Sequence, residues 1–150
     1  MGTMNATQET RAAREPVKLG DILRLKVGKR PKYCESGTIP VYGANGIIGY
    51  TTEHLTDNDY TLIIGRVGSA GKVNLGQGKI WVSDNAFYSV SYDSSKVYLP
   101  FLFYALQFKN LERWAYGSVQ PYITLGTLYR YITVELPKLE EQLKIANNLA

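Results

Sequence analysis

Gly65, Gly68 and Gly71 in IIGRVGSAGKV, with Lys72 directly after the last, have the composition of a phosphate-cradling loop, and the same spacing recurs as Gly43, Gly46 and Gly49 in YGANGIIGY. A Walker-type loop places a glycine where Arg66 stands and a Ser or Thr, needed as a magnesium ligand, where Val73 stands, so the P-loop reading fails. The dinucleotide-binding pattern fails as well, because neither triplet has a Gly-x-Gly before its last glycine and no βαβ unit surrounds it. Two readings stay open: tight turns that need positive φ, or turns whose exposed amides, with Asn45 or Arg66, meet a ligand.

Other reactive groups are scarce. A catalytic triad or a histidine-centred metal site would rest on His54, the one histidine, whose setting in TTEHLTDND is that of a hydrated loop. Asp57 and Asp59 in the same run could hold a cation or form a turn. None of the 13 acidic residues is followed two positions later by lysine, which removes the simple D/E-x-K element of many metal-dependent nucleases. The Asn/Asp-Pro-Pro-aromatic motif of amino methyltransferases is absent too. Cys34 is the single cysteine, so an internal disulfide is impossible and a cysteine zinc site would need a second chain. The chain is therefore expected to be non-enzymatic and to hold no metal, and a reducing, cytoplasmic setting fits its cysteine usage.

The elements that position these residues follow from pattern. At 150 residues one domain is expected, and 12 Tyr against 4 Phe with 14 Gly favours a turn-rich, strand-rich body over a helical bundle. Short β-branched or aromatic runs at Leu23 to Val27, Pro40 to Tyr42, Ile47 to Tyr50, Thr61 to Ile64, Ile80 to Val82 and Phe87 to Ser91 are bounded by Gly, Asn, Asp and Ser, and predict strands. A helix is predicted from about Leu99, with Pro100 in its first turn and Leu102, Phe103, Leu106 and Leu111 at helical spacing. A second is predicted after Pro137, where Leu139, Leu143, Ala146 and Leu149 form a stripe and Glu140 pairs with Lys144. Trp81 and Trp114 are assigned to the core. The polar residues 1–15 are expected to be a flexible leader, and no apolar run is long enough for a membrane span.

Charge is concentrated rather than spread. Lys18, Arg24, Lys26, Lys29, Arg30 and Lys32 stand against Asp21 alone, a local balance of +5 in a chain whose total is +4. A protected strand edge and a phosphate-contacting strip both account for such a segment.

Taken in order, VKLGDIL (17–23), IPVYGANGIIGYT (39–51), IIGRVGSAGKV (63–73), WVSDNAFYSV (81–90), YLPFLFYAL (98–106), GSVQPYI (117–123) and ELPKLEEQLKIANNL (135–149) resemble a target recognition domain of a type I restriction-modification specificity subunit. The resemblance covers nearly everything after Glu15. It implies an α+β fold, a β-rich recognition domain over 16–137 with packed helices, and the start of a C-terminal conserved spacer helix over 138–150. It also implies a non-catalytic partner of double-stranded DNA that reads half of a bipartite target for methyltransferase and restriction subunits. Those subunits, not this chain, would use S-adenosylmethionine, ATP and Mg2+. A complete subunit of that kind has two recognition domains, so this sequence is expected to be one half, completed by a second domain or by a homodimer.

With that family in view, the candidate DNA-contacting residues are Lys29, Arg30, Lys32, Tyr33, Asn45, Arg66, Ser69, Lys72, Asn85, Tyr116, Ser118, Gln120 and Tyr122. Lysines and arginines would meet phosphates, while amides and Arg66 could pair with base edges in the major groove. Several have a plainer role: Asn45, Asn85 and Ser69 as turn stabilisers, Arg66 as a tie to Asp84, and the tyrosines as half-buried rings. Leu139, Leu143, Ile145, Ala146 and Leu149 are the candidate docking surface for the partner subunits. The alternatives are a carbohydrate-binding β module, the recognition domain of a fused methyltransferase-nuclease, and an enzyme whose site the sequence does not reveal.

Overall fold

The computed structural model describes residues 15–150, so all but the last residue of the expected leader lies outside the described residues. Among them the chain runs β1 (Pro16–Lys18), α1 (Leu19–Ile22), β2 (Leu23–Val27), β3 (Ile39–Gly43), β4 (Gly46–Thr51), β5 (Thr56–Gly65), β6 (Val73–Val82) and β7 (Ala86–Tyr92), then α2 (Leu99–Lys109), α3 (Leu125–Tyr131), β8 (Thr133–Glu135) and α4 (Leu139–Leu149). A 3-10 turn at Leu111–Trp114 follows α2, which stops at Asn110 because that residue adopts a left-handed conformation. The class is α+β, as expected. One sheet has the order β2-β7-β5-β6-β3-β4, antiparallel except where β3 meets β6, and β1 pairs with β8 in a separate ribbon.

Two cores hold this together. Leu25, Leu62, Ile64 and Phe87 on one sheet face pack against Leu99, Leu102 and Leu106 of α2, Leu128 of α3 and Ala146 of α4. Each such Leu, Ile or Phe side chain contributes about 1.5–3 kcal/mol by leaving water, which is why α2 can be sunk into the protein over Leu99 to Leu106, while Phe108 in its last turn is exposed. The smaller core of Ile63, Ile80, Val82, Ala86 and Tyr88 lies on the other face of the sheet, since Ile63 is out of step with Leu62 and Ile64. The short connection from β6 to β7 sets Val82 near Ala86, and the adjacent amides of Gly28 and Lys29 donate to Ala86 and Val82 respectively.

Neither tryptophan belongs to a buried core. Trp81 is half-buried and its indole N–H donates to the Lys29 carbonyl at 2.9 Å. Trp114 packs on the margin of the main core with the Arg113 guanidinium 4.7 Å from its ring centre.

Candidate nucleic-acid interface

Three loops far apart in sequence are bonded into one surface. The β5–β6 loop (66–72) is tied to the segment after the 3-10 turn by the Gly68 amide, which donates to Pro121 at 2.8 Å, and by the Ile123 amide, which donates to Arg66 at 2.9 Å. The β6–β7 turn joins from the other side, where the carbonyl of Asn85 accepts from both Arg66 and Val67 amides. Tyr116 and Tyr122 exchange two backbone bonds of 2.7 and 2.9 Å, closing a small loop with Ser118, Val119 and Gln120 at its tip. Thus Arg66, Ser69, Asn85, Tyr116, Ser118, Gln120 and Tyr122, spread over more than fifty positions, share one loop cluster.

Glycine is required here for two different reasons. A Cβ on Gly65 would sit 2.1 Å from the Ser69 carbonyl oxygen and 2.6 Å from that of Ala44, so this backbone has no room for a side chain. That crowding also brings the β3–β4 turn carrying Asn45 against the cluster. Gly71 combines a φ of +92° with backbone of Leu111 and Glu112 that would lie 2.6–3.0 Å from a Cβ. The amides of Gly65, Gly68 and Gly71 are all spent on backbone carbonyls, so the reading in which they cradle a ligand is corrected.

Other candidates fall into distinct settings. Lys72 forms an ion pair with Glu112 at 2.8 Å, with both side chains partly exposed. Partial burial resists the charge on Glu112, yet the Lys72 hydrogen bond, a backbone bond and the Lys72 charge outweigh it and hold the carboxyl below its ordinary range. Arg66 does tie to Asp84, through its Nε to the backbone carbonyl at 3.1 Å and not to the carboxylate. Tyr116 at 48% and Tyr122 at 46% exposed are the half-buried rings expected, with ring centres 5.6 Å apart, whereas Tyr33 at 59% is more open.

The basic segment divides in two. Arg24 bonds to the carbonyls of Gly20 and Leu23 and lies over the Tyr129 ring, so it is committed to the fold. Lys29, Arg30, Lys32 and Tyr33 are exposed. Their backbone is pinned at Lys29 by Val82 and Trp81, at Lys32 by the Thr51 hydroxyl, and at Tyr33 by its ring lying over Gly49. The strip therefore begins beside the β6–β7 turn of the loop cluster and runs out across β4.

The docking candidates on α4 need correction. Leu139 is half-buried, Ala146 is 2% exposed in the main core and Ile145 packs against it, so the domain itself occupies that face. Leu143 and Leu149 are more open, at 42% and 46% exposed. The centre of the inward face is a residue the apolar count passed over. Gln142 is fully buried; its amide oxygen accepts from the Tyr98 amide at 2.8 Å, and its nitrogen donates to the carbonyls of Lys96 at 2.7 Å and Pro137 at 2.8 Å. No sequence signal marks it, since between Glu141 and Leu143 it reads as one more polar surface position; once buried, such a group persists only with partners.

A cleft of about 580 Å³ beside α2 and α4, lined by Tyr60, Tyr98, Phe103, Tyr104 and Asn147 among others, contains none of the 13 candidate DNA contacts. Among the described residues no group of three His, Cys, Asp or Glu could hold a metal ion, and no helix is long and apolar enough to cross a membrane.

An α+β body that presents bonded loops next to a lysine and arginine strip is the build of a polyanion-binding domain. Residues 14–150 match the type I restriction modification DNA specificity domain, and the chain belongs to that family. It is 29% identical over 136 residues to the type I restriction enzyme EcoprrI specificity subunit of Escherichia coli, covering 85% of this chain and 33% of that protein. The fold is similar to the crystal structure of a type I restriction-modification S subunit from M. genitalium, with TM-score 0.80 and 21% identity over 90% of this chain and 37% of that one. It is also similar to the HsdS subunit from Thermoanaerobacter tengcongensis, with TM-score 0.62 and 18% identity over 99% of this chain and 37% of that one. The chain thus spans about a third of the length of these relatives.

Proposed function

We propose that this chain is a DNA-reading module of a type I restriction-modification specificity subunit, recognising one half of a split duplex target. The observation that carries the reading is the loop cluster: polar side chains from three segments, fixed by backbone bonds, beside exposed Lys29, Arg30 and Lys32. The cations hold phosphates and set register, and the loops meet base edges. Adenine methylation and restriction fall to partner subunits, which use S-adenosylmethionine, ATP and Mg2+; in this reading the chain supplies no catalytic group and works in the cytoplasm. Leu143 and Leu149 are the side chains left on α4 for those partners. The second half-site falls to another recognition domain or to a second copy of this chain.

The test is a salt titration of binding to duplex DNA. With Arg24 committed to the fold, about three or four phosphates are engaged, and the log-log slope is expected near −3. Binding that ignores salt, or that prefers a glycan to DNA, would remove this reading in favour of the carbohydrate module.

A further inference from the structure

Val119 is 98% exposed, more than any other large apolar side chain among the described residues. Its position is nevertheless well fixed. The loop that carries it is closed at its base by the paired Tyr116 and Tyr122 backbones, and Gly117 turns the tip with a φ of +85°. The Tyr116 hydroxyl lies 3.2 Å from that of Thr127, which is buried in α3, and Pro121 accepts from Gly68. A β-branched side chain on such a base has few rotamers to lose on contact.

We propose that Val119 is a base-reading residue whose isopropyl group contacts the 5-methyl group of a thymine in the major groove. This rests on the DNA-reading function above and names one reader within it. On either side of Val119 stand Ser118 and Gln120, which match the hydrogen-bonding edges of bases, whereas an isopropyl group can match only an apolar feature. The major groove offers one such feature, the thymine methyl. In the free protein Val119 buries nothing, so its apolar surface becomes useful only against a partner.

The test compares the 150-residue chain with Val119→Ala on two duplex pools randomised across their centres, one made with thymine and one with deoxyuridine. Because Val119 touches nothing in the fold, the variant keeps the wild-type melting curve. The wild-type chain is expected to enrich thymine at one position, with a preference of about fourfold over uracil, as for one buried methyl group. The Val119→Ala chain should select the same sequence but treat thymine and uracil alike at that position. If wild type enriches a sequence equally from both pools, or if the variant keeps the thymine preference, Val119 is not the methyl reader, although the DNA-reading function stands. A loss of affinity on both pools alike would assign Val119 to wedging between bases and overturn the proposal. If wild type enriches no sequence at all, the DNA-reading function fails and this proposal with it.

Discussion

Replacing Gln142 by alanine should be among the most damaging single changes on α4, although the residue is polar and touches no recognition loop. Three hydrogen bonds are lost at once, to the Tyr98 amide and the Lys96 and Pro137 carbonyls. A net value of about 1 kcal/mol each, plus the cavity left at a fully buried site, gives a cost of about 3–4 kcal/mol. Against a total stability of about 5–15 kcal/mol, that is a large fraction. With a urea m-value of about 2 kcal/mol per molar, the midpoint should fall by about 1.5–2 M in circular dichroism. Gln142→Met separates the two sources, since it keeps the volume and removes the polar partners. A methionine variant as stable as wild type would show that packing, not the hydrogen bonds, fastens α4, and would refute the role given to the Gln142 amide.

Three further outcomes test the interface. Lys29→Ala and Lys32→Ala should each weaken binding to cognate and scrambled duplexes alike and make the salt slope shallower by about one; sequence-dependent losses would assign them to base contacts instead. Asn45→Ala or Gln120→Ala should cost about 1–3 kcal/mol on the cognate half-site only if the amide is bidentate to adenine, and equal losses on scrambled DNA would make both simple turn residues. Glu112→Gln should free Lys72, raising non-specific DNA affinity and steepening the salt slope by about one. The same substitution has a pH signature: the Glu112 carboxyl is lower in the folded state, so the pair stabilises above the unfolded carboxyl range and is lost as pH falls through the folded value. Both side chains are more than a third exposed, so the difference between wild type and variant at neutral pH should stay within about 1 kcal/mol and vanish in acid.

Strands with regular alternation were legible. Leu23 to Val27 coincides with β2, and the runs in β3, β4 and β7 are right to within a residue or two at each end. For β5 and β6 only the buried ends carry a signal. The remainder, Thr56 to Tyr60 and Val73 to Lys79, is largely polar or glycine-rich and is held by its partner strand across a bulge between Asn58 and Thr61. The four-residue α1 and seven-residue α3 are too short to show a helical period and depend on tertiary packing. On α4 the helix was legible and its face was not, because a stripe built from leucines cannot show that Gln142 has three backbone partners waiting. Nor could sequence show the bond from Gly68 to Pro121, since pairing at that separation depends on the whole fold.

The way the loops are fastened bears on how such a domain could change what it reads. Gly68 with Pro121, Arg66 with Ile123 and Asn85, and Tyr116 with Tyr122 are all joined through main-chain atoms. A bond of that kind does not depend on the identity of the side chain, provided the residue tolerates the backbone angles and the crowding. Gly65 and Gly71 do not have that freedom, and they lie in the hinge of the loop and not at its tip. Ser118, Val119, Gln120 and Asn85 have exposed side chains on a surface whose shape is set elsewhere. Substitutions at these four positions should therefore alter base preference with little cost to folding, since exposed sites away from cores and caps usually change stability by no more than about 0.5 kcal/mol. The opposite holds for Thr127, whose hydroxyl lies 3.1–3.2 Å from those of Tyr116 and Thr124 and whose amide is capped by Thr124. Thr127 is bonded to the recognition loop through Tyr116, so its replacement should cost stability and loosen that loop together, where changes at the four exposed positions should do neither.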